Sequence, residues 1–229
     1  MKTCQDFADC FLAIICNVAA NYDEVRLVLD RYMKISLKEQ MRTKRTKGKS
    51  TYYHVKDTTL TQNISLNDFL SDIRTKAQLT EYLADKFVRH SRSSNNRLKK
   101  FMVTSVTQTK GNVDIPDSLL THSQEEADML LILHAISVPH EAELVVSSPD
   151  TDVLLLLVHM YPHLPVSTVF FAGKGRLKRN ISVCNIHNNL GQKRASALLG
   201  LHALTGSDMS GRFAGRTKDC MVLQGIHVL

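Results

Sequence analysis

The chain contains no apolar stretch suited to a membrane span. Uncharged runs such as Phe11 to Asn21 and Val153 to Met160 fall well short of the about 20 apolar residues that a transmembrane helix needs. No membrane partner is expected. The N-terminus also lacks the order of a signal peptide, because Lys2 is followed at once by Asp6 and Asp9 rather than by an apolar core and a small-residue cleavage site. An intracellular protein is the expectation.

Zinc spacing is missing too. The five cysteines, Cys4, Cys10, Cys16, Cys184 and Cys220, are odd in number and form no CxxC or Cys/His pair at structural-zinc spacing. Cys4, Cys10 and Cys16 recur every six residues, which walks around a helix instead of gathering ligands on one face. Reduced structural thiols are the reading. No internal repeat is visible.

What is present is a chain of 229 residues, 43% hydrophobic, which is enough to bury a sizeable core. Its net charge of +7 suits a polyanionic partner, though many soluble proteins are mildly basic. The distribution is more telling. Cations cluster in Lys38 to Lys49, Arg89 to Lys100, Lys174 to Arg179 and Arg212 to Lys218, while several acids stand apart in apolar sequence.

Apolar spacing predicts a helix over Phe7 to Asn21 and a strand over Glu24 to Leu29 that ends on Asp30. Residues 31 to about 100 show few buried-strand signals and read as an insertion, with one amphipathic helix from roughly Ser65 to His90. A helix over Gln124 to Ser137 begins with a capping box made by Ser123 and Glu126. A strand over Leu144 to Ser147, a buried helix opened by Asp152, a strand over Val166 to Ala172 and a helix from Gln192 to Leu204 follow. Strands alternating with helices imply a mostly parallel sheet with ligands at the carboxyl ends of its strands.

Asp150 and Asp152 sit where such a sheet places catalytic groups, in the loop leaving a strand. Magnesium and manganese prefer oxygen, so converging Asp and Glu suit them better than Cys or His. Taken alone, Asp150 reads better as a helix N-cap. Asp30 ends a strand, Glu126-Ala127-Asp128 opens a helix where negative charge is favoured by the helix dipole, and Asp208 lies in a Gly206-Ser207-Asp208 turn. Each has an ordinary structural reading as well.

The ordered set of Glu126-Ala127-Asp128, Asp150-Thr151-Asp152 and Gly206-Ser207-Asp208 resembles the PIN-like nucleases, and within them the flap endonucleases. The longer stretches Ser123 to Asp128, Ser148 to Leu154 and Ala203 to Asp208, with Leu29 to Tyr32 and the run from Lys44, resemble a group of animal proteins with this core. The resemblance implies an α/β fold: a PIN-like three-layer domain with a mostly parallel central sheet flanked by helices, lacking its first strand. It implies a single domain over 1–229, with 31–121 a basic, arch-like insertion and 209–229 a truncated C-terminal helical region.

By the same resemblance, Asp30, Glu126, Asp128, Asp150, Asp152 and Asp208 are the catalytic acids. All but Asp30 are assigned as ligands of a two-metal site for Mg2+ or Mn2+, with Glu125 the alternative to Glu126 if the helix register differs by one. The activity implied is metal-dependent phosphodiester hydrolysis of DNA or RNA. Arg42, Lys44, Arg45, Lys47 and Lys49, placed where flap endonucleases carry a basic arch, and Lys174, Arg176, Lys178 and Arg179 would contact nucleic acid. A solvated loop or a nuclear-import signal explains the first group about as well, and a plain loop the second. Tyr52 and Tyr53 could stack on bases or pack. Gly211 to Lys218 loosely resembles the turn with which flap endonucleases grip duplex backbone. His134, His159 and His163 read as packed or surface residues.

Two departures stand against activity. The family's first strand carries a further aspartate with no counterpart here, and little follows Lys218. The other readings are therefore a catalytically inactive PIN-like nucleic-acid or protein-binding module, and a structural fragment.

Overall fold

The computed structural model describes residues 2–32, 50–93, 98–120, 126–173 and 179–205. The chain is α/β and divides into two compact units, Met1–Leu130 and Leu131–Leu229. Among the described residues there are eight α-helices and two three-stranded sheets, one in each unit.

The first unit begins with helix α1, Cys4–Ala19. Its start is set by a capping box: the Thr3 hydroxyl accepts from the Asp6 N–H, and the Asp6 carboxylate accepts from the Thr3 N–H. Cys4, Ala8, Ile15, Cys16 and Ala19 are its buried face. Strand β1, Glu24–Val28, follows. Next come α2, Leu66–Phe69, and α3, Ile73–Ser91. The single amphipathic helix expected from Ser65 to His90 is thus two helices. Ser65 and Asp72 each cap a new start, so two N-cap side chains interrupt one apolar periodicity.

Strands β2, Lys100–Thr104, and β3, Thr109–Gly111, complete the first sheet in the order β1-β2-β3, and α4, Asp117–Leu120, comes after it. β1 and β2 are parallel, and β2 and β3 antiparallel. The stretch assigned to the insertion, 31–121, therefore supplies two of the three. Phe101, Met102, Val103 and Thr104 are all buried, yet basic residues precede them and mask the strand in sequence. α3 packs on β2 and β3, and Phe11 of α1 meets Phe87 of α3 edge to face at 5.3 Å.

Helix α5, Ala127–Ile136, begins in the first unit. Its expected capping residue Ser123, together with Glu125, lies outside the described residues. The second unit holds β4, Val145–Ser147, then α6, Thr151–Met160, a single 3-10 turn at Tyr161–His163, and β5, Val169–Ala172. Strand β6, Arg179–Ser182, and helices α7, Val183–Leu190, and α8, Gln192–Thr205, follow. β4 and β5 are parallel, and β5 and β6 antiparallel. Val146, Val153, Leu157, Phe170, Val183 and Ala195 form the centre of its core.

The expected mostly parallel sheet is corrected to two small mixed sheets. In each, the third strand follows the second after a short link, and a link that short can only return the chain antiparallel. No described helix is long and apolar enough to cross a membrane.

Candidate functional site

Three of the predicted acids belong to the first unit. The β1–β2 ladder continues past β1 through the Leu29 N–H, which donates to the Thr104 carbonyl at 3.1 Å, and so delivers Asp30 to the strand exit. There the Oδ1 of Asp30 accepts the backbone N–H of Ala127 at 3.3 Å. That N–H is one of the unpaired donors at the start of α5, where an anionic acceptor also meets the favourable end of the helix dipole. Glu126 and Asp128 flank Ala127, and all three acids are half-buried. The fold thus ties Asp30 to the helix start that carries the other two.

Asp150 and Asp152 belong to the second unit. β4 ends at Ser147, and the buried Ser148 hydroxyl accepts the Asp150 N–H at 3.1 Å. Asp150 caps α6, its Oδ1 accepting the Asp152 N–H at 2.9 Å. The N-cap role foreseen for Asp150 is therefore real, and it uses one carboxylate oxygen. Asp152, in the first turn, directs Oδ2 to within 3.1 Å of His202 Nε2 on α8.

His202 was not singled out in the sequence. The usable signal was helical phase. Ala195 and Leu198 belong to the core of this unit, and position 202 repeats their face of α8.

Asp208, the cations Arg42, Lys44, Arg45, Lys47 and Lys49, and Lys174, Arg176 and Lys178 lie outside the described residues, as does the segment Gly211 to Lys218. Arg179 is described. It is an exposed residue that opens β6 opposite Ala172, so it belongs to a strand and not to the plain loop that was its alternative reading. Two residues of the Arg89 to Lys100 cluster are used within the fold: Arg92 donates to the Gly111 carbonyl and Lys99 pairs with Asp23 at 2.6 Å.

Tyr53 packs on Phe69 with ring centroids 5.3 Å apart, which is the packing role. Tyr52 has Arg74 over its ring at 4.5 Å and accepts at its hydroxyl from Gln78. Of the histidines read as packed or surface, His134 is buried, His159 half-buried and His163 exposed. Cys4 and Cys16 are buried, Cys184 is half-buried and Cys10 exposed.

No group of three or more His, Cys, Asp and Glu placed to hold a metal ion occurs among the described residues. The donor chemistry nonetheless fits a hard divalent cation. Asp150 and Asp152 offer carboxylate oxygens at a strand exit, Asp150 using Oδ1 to cap α6 and Asp152 directing Oδ2 toward His202. Compared with known proteins, the chain matches no family model, no curated protein and no solved structure.

Proposed function

We propose that this chain has a PIN-like fold and is a metal-dependent nuclease, hydrolysing phosphodiesters of DNA or RNA, or a descendant of one. The observation that carries this reading is the hydrogen bond from Ala127 to Asp30, which brings an acid from a strand exit to a helix start bearing two more acids. Asp150 and Asp152, just past the end of a strand with a parallel neighbour, supply the second part of the set.

In this reading Glu126, Asp128, Asp150, Asp152 and Asp208 would hold Mg2+ or Mn2+, and Asp30 would complete the acidic set. When bound, such cations supply Lewis acidity to activate water and to stabilise the leaving oxygen. The chain's own acids would orient the cations, and the helix starts under Asp30 and Asp150 would hold those carboxylates in place. The exposed Arg179 and the cations at 42–49 and 174–178 would bind the phosphate backbone, an interaction weakened by salt. An intracellular, nucleic-acid-rich compartment suits this activity.

The test is cleavage of single-stranded, flap and duplex DNA and RNA with Mg2+ or Mn2+, using Asp150→Ala with Asp152→Ala as the control. Cutting that requires both the metal and these acids supports the nuclease. No metal-dependent cutting, or cutting untouched by the double substitution, overturns it.

A second reading, a PIN-like module that binds nucleic acid or protein without cutting, is favoured by one feature. Asp30, Asp150 and Asp152 each already serve a contact inside the fold, so each has a structural use without any metal. Metal-independent binding of a labelled oligonucleotide, with no product formed, distinguishes this module from the enzyme.

A further inference from the structure

Tyr52 and Tyr53, neighbours in sequence, are put to different uses by the first unit: Tyr53 packs on Phe69, while Tyr52 stays 38% exposed. The difference continues along the chain. Tyr52, His54 and Lys56 are exposed, and between them Tyr53 is half-buried and Val55 buried. A period of two sets successive outward side chains about 7 Å apart. That is about twice the 3.4 Å base step of a stacked strand, a spacing that suits bases drawn apart and not those of a duplex.

Helix α3 fixes this row. The Gln78 carboxamide oxygen accepts from the Val55 N–H and from His54 Nδ1, both at 3.0 Å, and its nitrogen donates to the Tyr52 hydroxyl at 2.6 Å. One side chain thus positions both rings. The Arg74 guanidinium lies over the Tyr52 ring at 4.5 Å, and Asp72 grips one edge of it, accepting from Nε at 3.0 Å and from Nη2 at 2.8 Å. That grip leaves the Nη1 edge for a phosphate oxygen. Asp57, the acid next to Lys56, is paired with Lys86 at 2.9 Å and accepts from the Tyr82 hydroxyl, so it does not face a polyanion as a bare charge.

We propose that Tyr52 with Arg74, and His54 beside them, form a stacking row for successive bases of single-stranded DNA or RNA, with Arg74 and Lys56 on its phosphates. Rings and guanidinium planes both stack on bases, and they do so where the bases are unpaired. The inference rests on the nucleic-acid reading above and deepens it, by making the unpaired strand the preferred form. It uses no acid of the metal set, so binding is read without metal and apart from cutting.

The test is binding of fluorescent oligonucleotides of one length to the full chain in a metal chelator: a single strand, its duplex, and a strand of the same phosphates with abasic sites throughout. Tyr52→Ala, Tyr52→Phe, His54→Ala and Lys56→Ala are compared with the unaltered protein, and Tyr22→Ala serves as the control from an exposed tyrosine outside the row.

The single strand should bind about tenfold or more tighter than the abasic strand, and tighter than the duplex. Tyr52→Ala should lose about tenfold in affinity and His54→Ala should also weaken binding, whereas Tyr52→Phe, which keeps the ring, should stay within about twofold. Tyr22→Ala should change nothing. Lys56→Ala should reduce the slope of log affinity against log salt by about 0.7. A single strand bound no better than the abasic strand, or more weakly than the duplex, overturns the proposal, as does a folded Tyr52→Ala of full affinity. The abasic comparison uses only the unaltered protein, so it decides even if a variant fails to fold. If no oligonucleotide binds, the row falls, and metal-dependent cleavage then judges the nuclease separately. A preference for unpaired bases without metal-dependent cutting keeps the row and removes the nuclease.

Discussion

Asp30 and Ala127, 97 positions apart in sequence, are joined by a hydrogen bond from the Ala127 N–H to the Asp30 carboxylate. The contact makes one side chain both an anchor for a helix start and a member of an acidic set. The two roles separate on substitution. Asp30→Ala should destabilise the first unit by about 0.5–2 kcal/mol, as loss of a capping acceptor does, whereas Asp30→Asn keeps an acceptor oxygen and most of that stability. Urea denaturation measures this. If the acidic set works in catalysis, Asp30→Asn should still lose metal-dependent cleavage, and an Asn variant as active as the unaltered chain would leave Asp30 as an anchor alone.

Glu81 on α3 is the polar clamp on the β2–β3 turn. Its Oε1 accepts from the Ser105 hydroxyl and the Thr107 N–H, both at 2.8 Å, and its Oε2 accepts from Lys110 Nζ at 3.0 Å. Burial alone would raise its pKa, but the hydrogen bonds from Lys110, Ser105 and Thr107 outweigh it and hold the carboxyl below its ordinary value. Glu81→Ala removes the acceptor of the Thr107 N–H, while Lys110 keeps Asp85 and the Ser105 hydroxyl keeps the Gln108 carbonyl, so it should cost about 0.5–1.5 kcal/mol. A chemical-denaturation midpoint indistinguishable from that of the unaltered chain would contradict this.

Asp72 gives the first unit an acid-sensitive cap. The Arg74 guanidinium beside it, more than its backbone contact, holds its pKa down to about 2 against the opposing effect of burial. A carboxyl with a lowered folded-state value stabilises above its unfolded value near 3.9, and that contribution disappears as the pH falls through about 2. Asp72→Asn retains a capping oxygen but cannot titrate. The unaltered chain should therefore lose stability more steeply than Asp72→Asn between about pH 4 and pH 2. The difference should be small, because the Arg74 side chain is 56% exposed and its attraction is screened. Parallel acid-denaturation curves for the two proteins would sink the idea.

Gly111 closes β3 against β2 with no room for a side chain. A Cβ there would lie 2.4 Å from the Phe101 carbonyl oxygen, an atom of the backbone that the strand pairing holds in place. Gly111→Ala should therefore lower stability by about 1–3 kcal/mol through overpacking. Its melting temperature should fall, while Gly200→Ala, where nothing lies within 4 Å of the added carbon, should not show that loss.

The elements with strong apolar spacing were legible in sequence. α1, β1, β4, α6, β5 and α8 lie close to where periodicity puts them, and Asp150 caps α6 as a residue of its type before an apolar helix should. β2 was hidden because Lys99 and Lys100 lead into it, and burial of Phe101 to Thr104 comes from pairing on both sides, which local sequence does not announce. β3, with three residues, is too short to show a period, and β6 opens with the exposed Arg179 and Asn180. In the site, the carboxylates stood out because they follow strands or open helices. His202 did not, since a lone histidine on a helix gains meaning only from the residue across from it.

The first sheet joins distant parts of the chain, with Glu24 facing Lys100 in parallel, whereas in the second sheet Val145 faces Val169. Closing the longer loop costs more chain entropy before any pairing rewards it. During synthesis β1 leaves the ribosome long before its partner exists, so its edge must wait unpaired until β2 has emerged. The early part of the chain is thus the part most in need of protection from misassociation while the protein is being made.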